Sequence, residues 1–584
     1  MSMWALISGA LLGLTMLSKV SGLFWAVAAA VCVLATLFQS WKSRLRDRSL
    51  GQGLLLLGLS GGVFWGGYAF TWGHVQGLDL PLPAPAYWDS ALYLRNYTSV
   101  VFALGRRWYE HVWWYYPLCF AVKNPLLLLL GLSLGLASLA RRPFSLPRAV
   151  VWWFFPTLYT IAALLMGMNI GYRHMLPIHP FIYLTIGGGV EPWSREGRSW
   201  RRWILIGGCV AYAAGTLRLF PYELSYFNSL VGGPEMGYRY LADSNVDWGQ
   251  TPPEVVNAFV QAHPGIKTSS PAAPFRPSPG QYLVSASHLQ GAGIGDPLAY
   301  EWFRHREPAA SLNYALLMYD VPPFDLTWVA QCETPAPPLA THKIIEGVGK
   351  SDLRLIGFDC AQAWVYPAGG REAGIYALHY DLYQPSKLQF PPLNFGPPEP
   401  QDAFIGRHLA GARLSFEKTH ADDAPTFVLY ETDAPPAIPP YPQAVSSGPA
   451  EMPPVEARNL GLWREAAILE NRLVFVGMTL TTADESWEVE TWWQANAAPV
   501  NRPFSIMAHL ISADGYTLSV ADGLGVSPFA LHSGDIWVQR HGFPKPPEGQ
   551  DYWLRTGAYW LDTLERWNID GAVDADALFI PLGH

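Results

Sequence analysis

Basic side chains lie beside long apolar runs at two places in the sequence. Lys19 lies in GLTMLSKVSGLF, and Arg173 and His174 lie in MNIGYRHMLPIHPF. A charge next to hydrocarbon is costly and is usually paired or functional. A guanidinium offers a planar fork of donors that fits phosphate. We therefore predict that a lipid phosphate binds to Lys19, Tyr172, Arg173 and His174.

Two structural interpretations compete with this predicted phosphate site. A lysine at the end of an apolar run can extend its ammonium group to the lipid headgroups. Arg173 can equally be one half of a structural salt bridge that involves no ligand. The sequence leaves both interpretations open.

Three aspartates beside or after these apolar runs are weak candidates for an acid–base group. Asp89 follows the aromatic pair Tyr87 and Trp88, and Asp243 and Asp247 lie in DSNVDWGQ. None of the three stands out by its spacing, so the catalytic residues stay unassigned. A belt of interfacial rings beside a solvated Asp89 is the alternative interpretation of its surroundings.

Flat rings and an amide near these carboxylates are predicted contacts for a sugar or an acceptor. The rings are those of Trp88 and Trp248, and the side chain of Asn245 offers both hydrogen-bond donors and an acceptor. A turn that caps the following helix explains DSNVDWGQ equally well.

Composition and cysteine spacing bear on which partners, metals and cofactors are expected. The net charge of -8 and the pI near 6.0 give no reason to expect nucleic acid as a partner. The five cysteines contain neither a CxxC pair nor a Cys/His cluster, so we expect no metal site. No cofactor motif is present, and none is expected. Cys332 and Cys360 are a predicted disulfide, with two unpaired buried thiols as the alternative.

The elements that would position these residues begin with seven apolar stretches, most of them near the roughly 20 residues that span a bilayer. They lie near 3–18, 22–39, 53–72, 116–139, 149–168, 176–190 and 204–220. Basic residues follow the second, fourth and sixth stretches, which places those loops in the cytoplasm. We predict a multi-span α-helical membrane domain over residues 1–220 in the cell membrane. The N-terminus is then cytoplasmic, and residues after about 220 are extracytoplasmic.

The remaining chain divides into three predicted units. Residues 221–330 are expected to form an α/β segment, with strands at QYLVSAS and NYALLMYDV. Residues 331–445 are expected to form a β-rich middle domain, and residues 446–584 an antiparallel β-sandwich. Most tryptophans of the sandwich are predicted to be core residues, and an exposed aromatic row that binds a sugar is the alternative.

Several segments together resemble a known family. They are GLTMLSK, PAPAYWDSALYLRN, WWYYPLCFAVKNP, GYRHMLPIHPF and, most specifically, SYFNSLVGGPEMGYRYLADSNVDWGQ. They are similar to bacterial glycosyltransferases of the GT-C fold, in the protein O-mannosyltransferase and aminoarabinose-transferase group. The similarity covers roughly residues 1–320.

This resemblance implies a partial GT-C-like domain that transfers a sugar from a polyprenyl-phosphate donor. The acceptor would be a hydroxyl of a glycan, a protein or a lipid outside the cytoplasm, and cations would stabilise the departing phosphate. The family's catalytic aspartate belongs to a loop that precedes the GLTMLSK-like segment, at which this sequence begins. The resemblance thus leaves three interpretations open: a gene fragment, a wrongly assigned start, or one half of a split enzyme whose N-terminal catalytic half a separate chain supplies. A non-catalytic, membrane-anchored glycan-binding or accessory subunit is the alternative function.

Overall fold

The computed structural model describes residues 3–40, 46–76, 78–96, 101–109, 111–141, 146–165, 169–195, 199–379, 383–384, 399–418, 426–432, 467–496, 502–572 and 575–583. Its first part contains nine helices, interleaved with two short β-hairpins. The helices before the second hairpin are α1 (Met3–Ser18), α2 (Gly22–Ser40), α3 (Arg46–Gly67) and α4 (Pro85–Asn96). The hairpins are β1 (Trp72–Val75) with β2 (Leu78–Pro83), and β3 (Val101–Ala103) with β4 (Arg106–Trp108). The later helices are α5 (Tyr115–Lys123), α6 (Leu126–Ala140), α7 (Leu146–Leu165), α8 (His179–Arg195) and α9 (Ser199–Leu217).

The prediction of a multi-span α-helical membrane domain is wrong. Among the described residues, one helix, Ser49–Gly67 within α3, is long and apolar enough to cross a membrane. Helices α5 and α6 meet the same criterion only as a pair, and that pair bends by 111° at its break. The described chain instead forms this set of helices and hairpins, followed by α/β and β-rich units.

Breaks in the chain explain why the apolar stretches do not become long helices. The stretch 116–139 is interrupted between α5 and α6 because Pro125 has no backbone N–H to continue α5. The stretch 176–190 begins inside a 3-10 helix, Tyr172–Ile178, which contains Pro177. Helix α1 has 16 residues, fewer than the roughly 20 needed for a span. Apolar composition alone therefore did not predict where the helices are interrupted.

Some of the basic residues that set the predicted orientation lie outside the described residues. Lys42, Arg44, Arg142 and Arg198 are among them. The cytoplasmic N-terminus accordingly stays a prediction.

The segment after α9 shares a core with the preceding helices. It contains α10 (Pro253–Ala262), β5 (Gly280–Ser285), α11 (Ala286–Leu289), α12 (Glu301–Arg304), β6 (Ala310–Leu312) and β7 (Leu316–Val321). The three strands form an antiparallel sheet in the order β5-β7-β6. Trp302 and Tyr319 of this segment belong to the same buried cluster as Tyr115 and Phe155. Residue 220 therefore does not separate two independent cores.

The middle of the chain is a five-stranded mixed sheet. The elements of this part of the chain, not all of which belong to that sheet, begin with β8 (Trp328–Cys332), α13 (Thr341–Val348), β9 (Arg354–Phe358), β10 (Ala363–Tyr366) and β11 (Gly374–His379). They continue with β12 (Tyr383–Gln384), β13 (Glu399–Pro400), α14 (Ala403–His408), β14 (Arg413–Lys418) and β15 (Phe427–Thr432), of which β12 and β13 pair with each other in a separate two-stranded sheet. The order is β14-β15-β11-β8-β9, with β9 and β11 parallel to β8. Cys332 at the end of β8 and Cys360 after β9 are joined by a disulfide.

The C-terminal part is a sandwich of two antiparallel sheets around one core. Its strands are β16 (Ala467–Leu469), β17 (Leu473–Thr482), β18 (Ser486–Ala495), β19 (Phe504–Ser512), β20 (Thr517–Val520), β21 (Ile536–Pro544), β22 (Tyr552–Trp560) and β23 (Leu578–Gly583). The sheet orders are β10-β21-β18-β17-β16 and β20-β19-β22-β23. Strand β10 thus comes from the middle of the chain, and its Ala363 and Tyr366 pair with Gln539 and Ile536. The predicted break between 445 and 446 lies outside the described residues.

The aromatic side chains of the sandwich are buried. Trp487, Trp492 and Trp493 are 6%, 4% and 0% exposed. Because all three belong to the shared core, none of them is available as a surface platform for a sugar.

Candidate functional site

The connection between α1 and α2 lies against the 3-10 helix Tyr172–Ile178. The Lys19 Nζ is 3.3 Å from the His174 Nδ1. The Tyr87 hydroxyl donates to the carbonyl of Val20 at 2.9 Å, and the Tyr159 hydroxyl donates to the carbonyl of His174 at 2.7 Å. Two tyrosines from other helices therefore hold both sides of the Lys19–His174 contact.

The protonation state of His174 follows from its surroundings. Burial lowers its pKa to about 4, and the charges of Lys19 and Arg173 act in the same direction. The ring is therefore neutral at pH 7, and its Nδ1 accepts a hydrogen bond from the Lys19 ammonium. The proton then resides on Nε2, a buried atom with no hydrogen-bond partner in the part of the chain that the structure describes. The site thus holds an N–H donor without a protein acceptor.

Arg173 and Trp248 form a stacked pair beside this donor. The Arg173 guanidinium carbon lies 4.0 Å from the centre of the Trp248 ring, and Trp248 is 59% exposed. Burial lowers the pKa of Lys19, and Arg173 lowers it further. Within the described ranges, neither Lys19 nor Arg173 forms an ion pair with a carboxylate. An anion is the ligand that such an excess of positive charge favours.

Asn245 joins the two loops that carry the stacked pair. Its Oδ1 accepts from the backbone N–H of Tyr172 at 2.9 Å, and its Nδ2 donates to the Tyr115 hydroxyl at 2.8 Å. Asn245 is 1% exposed, so its amide is used inside the protein. The structure thus places this predicted sugar contact in a supporting position.

Tyr172 also supports the site from within. It is 7% exposed, and its hydroxyl accepts from the Asn124 Nδ2 at 2.6 Å. The same hydroxyl lies 2.7 Å from the His179 Nε2. The structure brings Lys19, Arg173 and His174 together, and it places the Tyr172 ring behind them.

Lys123 is a residue of the site that the sequence did not single out. Its Nζ donates to the carbonyls of Leu224 and Asn245, both at 2.6 Å, and lies 4.1 Å from the centre of the Phe227 ring. Lys123 therefore fixes the backbone of the Asn245 loop against α5. The available signal was a single charge within the apolar segment WWYYPLCFAVKNP.

Gly171 allows the two loops to touch. Its φ of 111° lies in a region that favours glycine, and a Cβ there would lie 2.2 Å from the Ser244 Oγ. The Ser244 hydroxyl donates to the carbonyl of Ile170 across this contact. A larger residue at 171 would force the loop of Arg173 away from that of Asp243.

The three candidate carboxylates have different surroundings. Asp89 accepts from the backbone N–H of Gln76 at 2.6 Å, and Asp247 accepts from the Ser285 hydroxyl at 2.7 Å. Asp243 has a left-handed φ of 55°, and it precedes Ser244, which contacts the loop of Arg173. Burial raises the pKa of Asp243, while the backbone N–H of Ser244 and the charge of Arg173 oppose that rise.

The Trp88 side chain contacts its neighbours in α4 and in strand β2 of the first hairpin. Its Nε1 donates to the carbonyl of Pro83 at 2.9 Å, and its ring lies edge-on to Tyr87 at 5.4 Å. Together with Asp89, it occupies α4 rather than the loops of Arg173 and Trp248. In the described ranges, no group of three or more His, Cys, Asp or Glu side chains is placed to hold a metal.

Comparison with known proteins found no match: no family model, curated protein or solved structure matches the chain.

Proposed function

We propose that the chain is a glycosyltransferase that uses a polyprenyl-phosphate sugar donor and an extracytoplasmic acceptor hydroxyl. The observation that carries this proposal is the cluster of Lys19, Arg173 and the His174 Nε2 donor, in which neither cation forms a salt bridge with a carboxylate of the described residues. A phosphate in contact with these groups would receive charged and neutral hydrogen bonds at once. The same groups would stabilise the negative charge that develops when the sugar leaves.

The exposed ring of Trp248 supports sugar binding next to this phosphate. Arg173 covers one face of the ring, and the 59% exposure leaves other parts of the ring open to solvent. A sugar attached to the phosphate at Arg173 would then lie within reach of an aromatic surface. Trp248 is accordingly the proposed sugar contact, while Asn245 supports it from behind.

Exposed apolar side chains support attachment to the cell membrane. On α1, Trp4, Ile7, Leu11 and Leu14 are each more than 40% exposed and recur at helical spacing. Phe38 on α2 is 85% exposed, and Leu130 and Leu134 on α6 are each 57% exposed. A lipid donor would enter the site from such a surface. The Cys332–Cys360 disulfide supports an extracytoplasmic location for residues after about 220, because structural disulfides persist in oxidising compartments.

A second candidate function is a non-catalytic subunit that binds the lipid-linked glycan for another chain. The engagement of Asp89 and Asp247 by protein donors favours it, because two of the three candidate bases are already used. The phosphate site serves both functions. The two functions differ in whether the chain itself transfers the sugar.

Binding of polyprenyl phosphate in detergent micelles tests the phosphate site. We expect Arg173→Ala and Lys19→Ala each to lower its affinity by roughly tenfold or more, since a charged hydrogen bond contributes about 1.5–3 kcal/mol. Lys343→Ala is the matched control, because Lys343 is exposed and pairs with Glu346 on the surface. The neutral alcohol polyprenol is the ligand control. Equal affinity for polyprenol and polyprenyl phosphate would contradict the assignment.

Transfer is tested in membranes that contain the chain and receive labelled polyprenyl-phosphate mannose or aminoarabinose. Labelled product that depends on Arg173 supports the enzyme. Specific donor binding without any transfer supports the accessory subunit instead.

A further inference from the structure

We propose that the arginine cluster formed by Arg276, Arg306 and Arg413 binds a dianionic phosphate group, either inorganic phosphate or the phosphate of a monoester. The cluster lies where the residue after α12 and the loop before β5 meet strands β14 and β15. It shares no residue with the proposed polyprenyl-phosphate site. The proposal therefore does not depend on glycosyl transfer.

Three guanidinium groups of this cluster surround one carboxylate, that of Glu431. The Arg306 Nη2 donates to the Glu431 Oε2. The Arg413 Nη2 lies 3.6 Å from the same oxygen, and the Arg276 Nη1 lies 3.8 Å from the Glu431 Oε1. Among the residues that the structure describes, no second carboxylate pairs with these guanidinium groups. Three positive charges against one negative charge leave an excess of two, which a dianion would neutralise.

The Arg276 side chain carries an unused donor inside the cluster. It is 9% exposed, and its Nη1 is a buried atom without a hydrogen-bond partner in the described ranges. The 3.8 Å from this atom to Glu431 is too long for a hydrogen bond. The guanidinium carbon lies 4.5 Å from the centre of the Phe324 ring, and the Nη2 donates to the carbonyl of Pro322 at 3.4 Å. A buried donor without an acceptor costs free energy, and a phosphate oxygen would remove that cost.

Trp302 positions the buried groups of the cluster before any ligand binds. The Arg306 guanidinium carbon lies 3.3 Å from the centre of the Trp302 ring, and the Arg306 Nη1 donates to the Trp302 carbonyl at 2.8 Å. The Trp302 Nε1 donates to the Glu431 Oε1 at 2.7 Å. The Arg276 guanidinium carbon lies 5.1 Å from the same ring. Fixed planar forks of donors are suited to phosphate oxygens.

The positive charges of the cluster oppose one another. Burial lowers the pKa of Arg306 to about 9, Glu431 opposes this effect, and the charges of the other two arginines add to it. Burial also lowers the pKa of Arg276, again against Glu431 and together with the charge of Arg413. A bound anion would favour the charged forms of both arginines.

Arg413 is the member of the cluster that solvent reaches. Its side chain is 62% exposed, whereas those of Arg276 and Arg306 are 9% and 10% exposed. The ligand therefore enters from the side of Arg413, whose side chain turns to admit it. A phosphate monoester carries a charge of about −1.5 to −2 at pH 7, which matches the excess charge of the cluster.

Equilibrium dialysis of the full chain with radiolabelled inorganic phosphate tests this site. The measurements use a chain that carries Lys19→Ala and Arg173→Ala, so that the proposed polyprenyl-phosphate site does not contribute. We expect Arg276→Met and Arg413→Gln each to lower the affinity for phosphate by roughly tenfold or more, because each removes a charged hydrogen bond.

Arg472→Gln is the matched control, since Arg472 is 42% exposed and pairs with Glu470 on the surface. Its affinity for phosphate should stay within about twofold of the affinity of the parent chain.

Competition with the labelled phosphate identifies the ligand. Glycerol phosphate, a monoester, should displace the label, whereas dimethyl phosphate, a diester with a single negative charge, should need a roughly tenfold higher concentration. Stronger displacement by glycerol phosphate than by unlabelled phosphate assigns the site to a phosphorylated organic ligand, and equal displacement assigns it to the free ion. Equal displacement by dimethyl phosphate overturns the dianion site.

Unchanged phosphate affinity in Arg413→Gln overturns the assignment even if Arg276→Met does not fold, because Arg413 is exposed. Absence of phosphate binding in the chain with Lys19→Ala and Arg173→Ala also overturns it, and leaves the proposed glycosyl transfer in place. Phosphate binding that depends on Arg413, in a protein that binds no polyprenyl phosphate, supports this site and contradicts the proposed function.

Discussion

The Arg107 Nη2 lies 2.9 Å from the Glu301 Oε2, and the two side chains are 9% and 0% exposed. This ion pair connects the β3–β4 hairpin to α12. Arg304 and His305 contact the same carboxylate, at 2.8 Å and 3.2 Å. Glu301 therefore holds together side chains from two parts of the chain that are almost 200 positions apart.

We predict that Glu301→Gln lowers the free energy of unfolding by about 3–5 kcal/mol, because it leaves buried guanidinium groups without a countercharge. Glu307→Gln is the control, since Glu307 pairs with Arg239 but is 75% exposed, and its effect should be under about 1 kcal/mol. Chemical denaturation of both variants measures the difference. Equal losses of unfolding free energy in the two variants would show that burial does not make the Glu301 ion pair more important for stability.

The pKa of Glu301 gives this prediction a pH dependence. Burial alone would raise the pKa, but Arg304 and Arg107 outweigh it and hold the pKa well below the ordinary value of 4.5. The stabilisation is therefore present above pH 4.5 and is lost as the pH falls below that value. Glu301→Gln should lose less stability than the unaltered chain over this range.

We predict that His541 destabilises the fold in mild acid. Burial lowers its pKa to about 4, from the ordinary value of 6.5. Its Nδ1 lies 2.7 Å from the carbonyl of Ala521 and must donate, so its Nε2 accepts from the Thr491 hydroxyl at 2.9 Å. Protonation at Nε2 would put a second donor against that hydroxyl.

Since the folded state binds this proton less readily than the unfolded state, stability should fall as the pH drops from 6.5 towards 4. The loss attributable to His541 is on the order of 3 kcal/mol. Denaturation midpoints of the unaltered chain and His541→Asn between pH 7 and pH 4 measure it. Parallel pH profiles for the two proteins would refute the prediction.

We predict that Asn245→Ala weakens binding of polyprenyl phosphate although Asn245 does not face the ligand. The substitution leaves the Tyr172 N–H without its acceptor and frees the loop that carries Arg173. It should also lower the free energy of unfolding by on the order of 2–4 kcal/mol. Binding must be measured at a temperature where the variant remains folded. Asn496→Ala is the control, since Asn496 is exposed and bonds to Asn471.

We predict that reduction of the Cys332–Cys360 disulfide lowers stability by about 3–4 kcal/mol, as expected for a bridge between residues 28 positions apart. The double variant Cys332→Ala, Cys360→Ala should unfold at the same denaturant concentration with and without dithiothreitol. Cys209→Ser, at an exposed free cysteine, should keep the sensitivity of the original protein to the reductant. A dithiothreitol-sensitive double variant would contradict the assignment.

Residue type identified much of the candidate site, but not the role of each member. Lys19, Arg173 and His174 were recognisable because charge beside apolar sequence is unusual. The 3.3 Å contact between Lys19 and His174 spans 155 positions and has no local signature. For Asn245 the sequence left a ligand contact and a structural turn equally open, because polarity alone does not distinguish a ligand contact from a buried hydrogen bond.

The fold was predictable where local periodicity decides the outcome. The segment SWEVETWWQA was predicted to be a strand with mostly core rings, and it forms β18, in which Trp487 and Trp492 are both buried. The apolar stretch 116–139 was wrongly predicted to be one continuous span. The break at Pro125 changes the direction of the chain without changing its hydropathy. The pairing of β10 with β21 joins positions at least 170 apart, and no local sequence pattern predicts it.

That pairing makes the middle sheet and the sandwich one cooperative unit. A shortened chain that starts at residue 446 would lack β10 and would leave the hydrogen-bonding groups of β21 unpaired at an open edge. Such an edge can recruit a strand from a neighbouring molecule. The C-terminal strands therefore do not form a complete sandwich without β10, which the middle of the chain supplies.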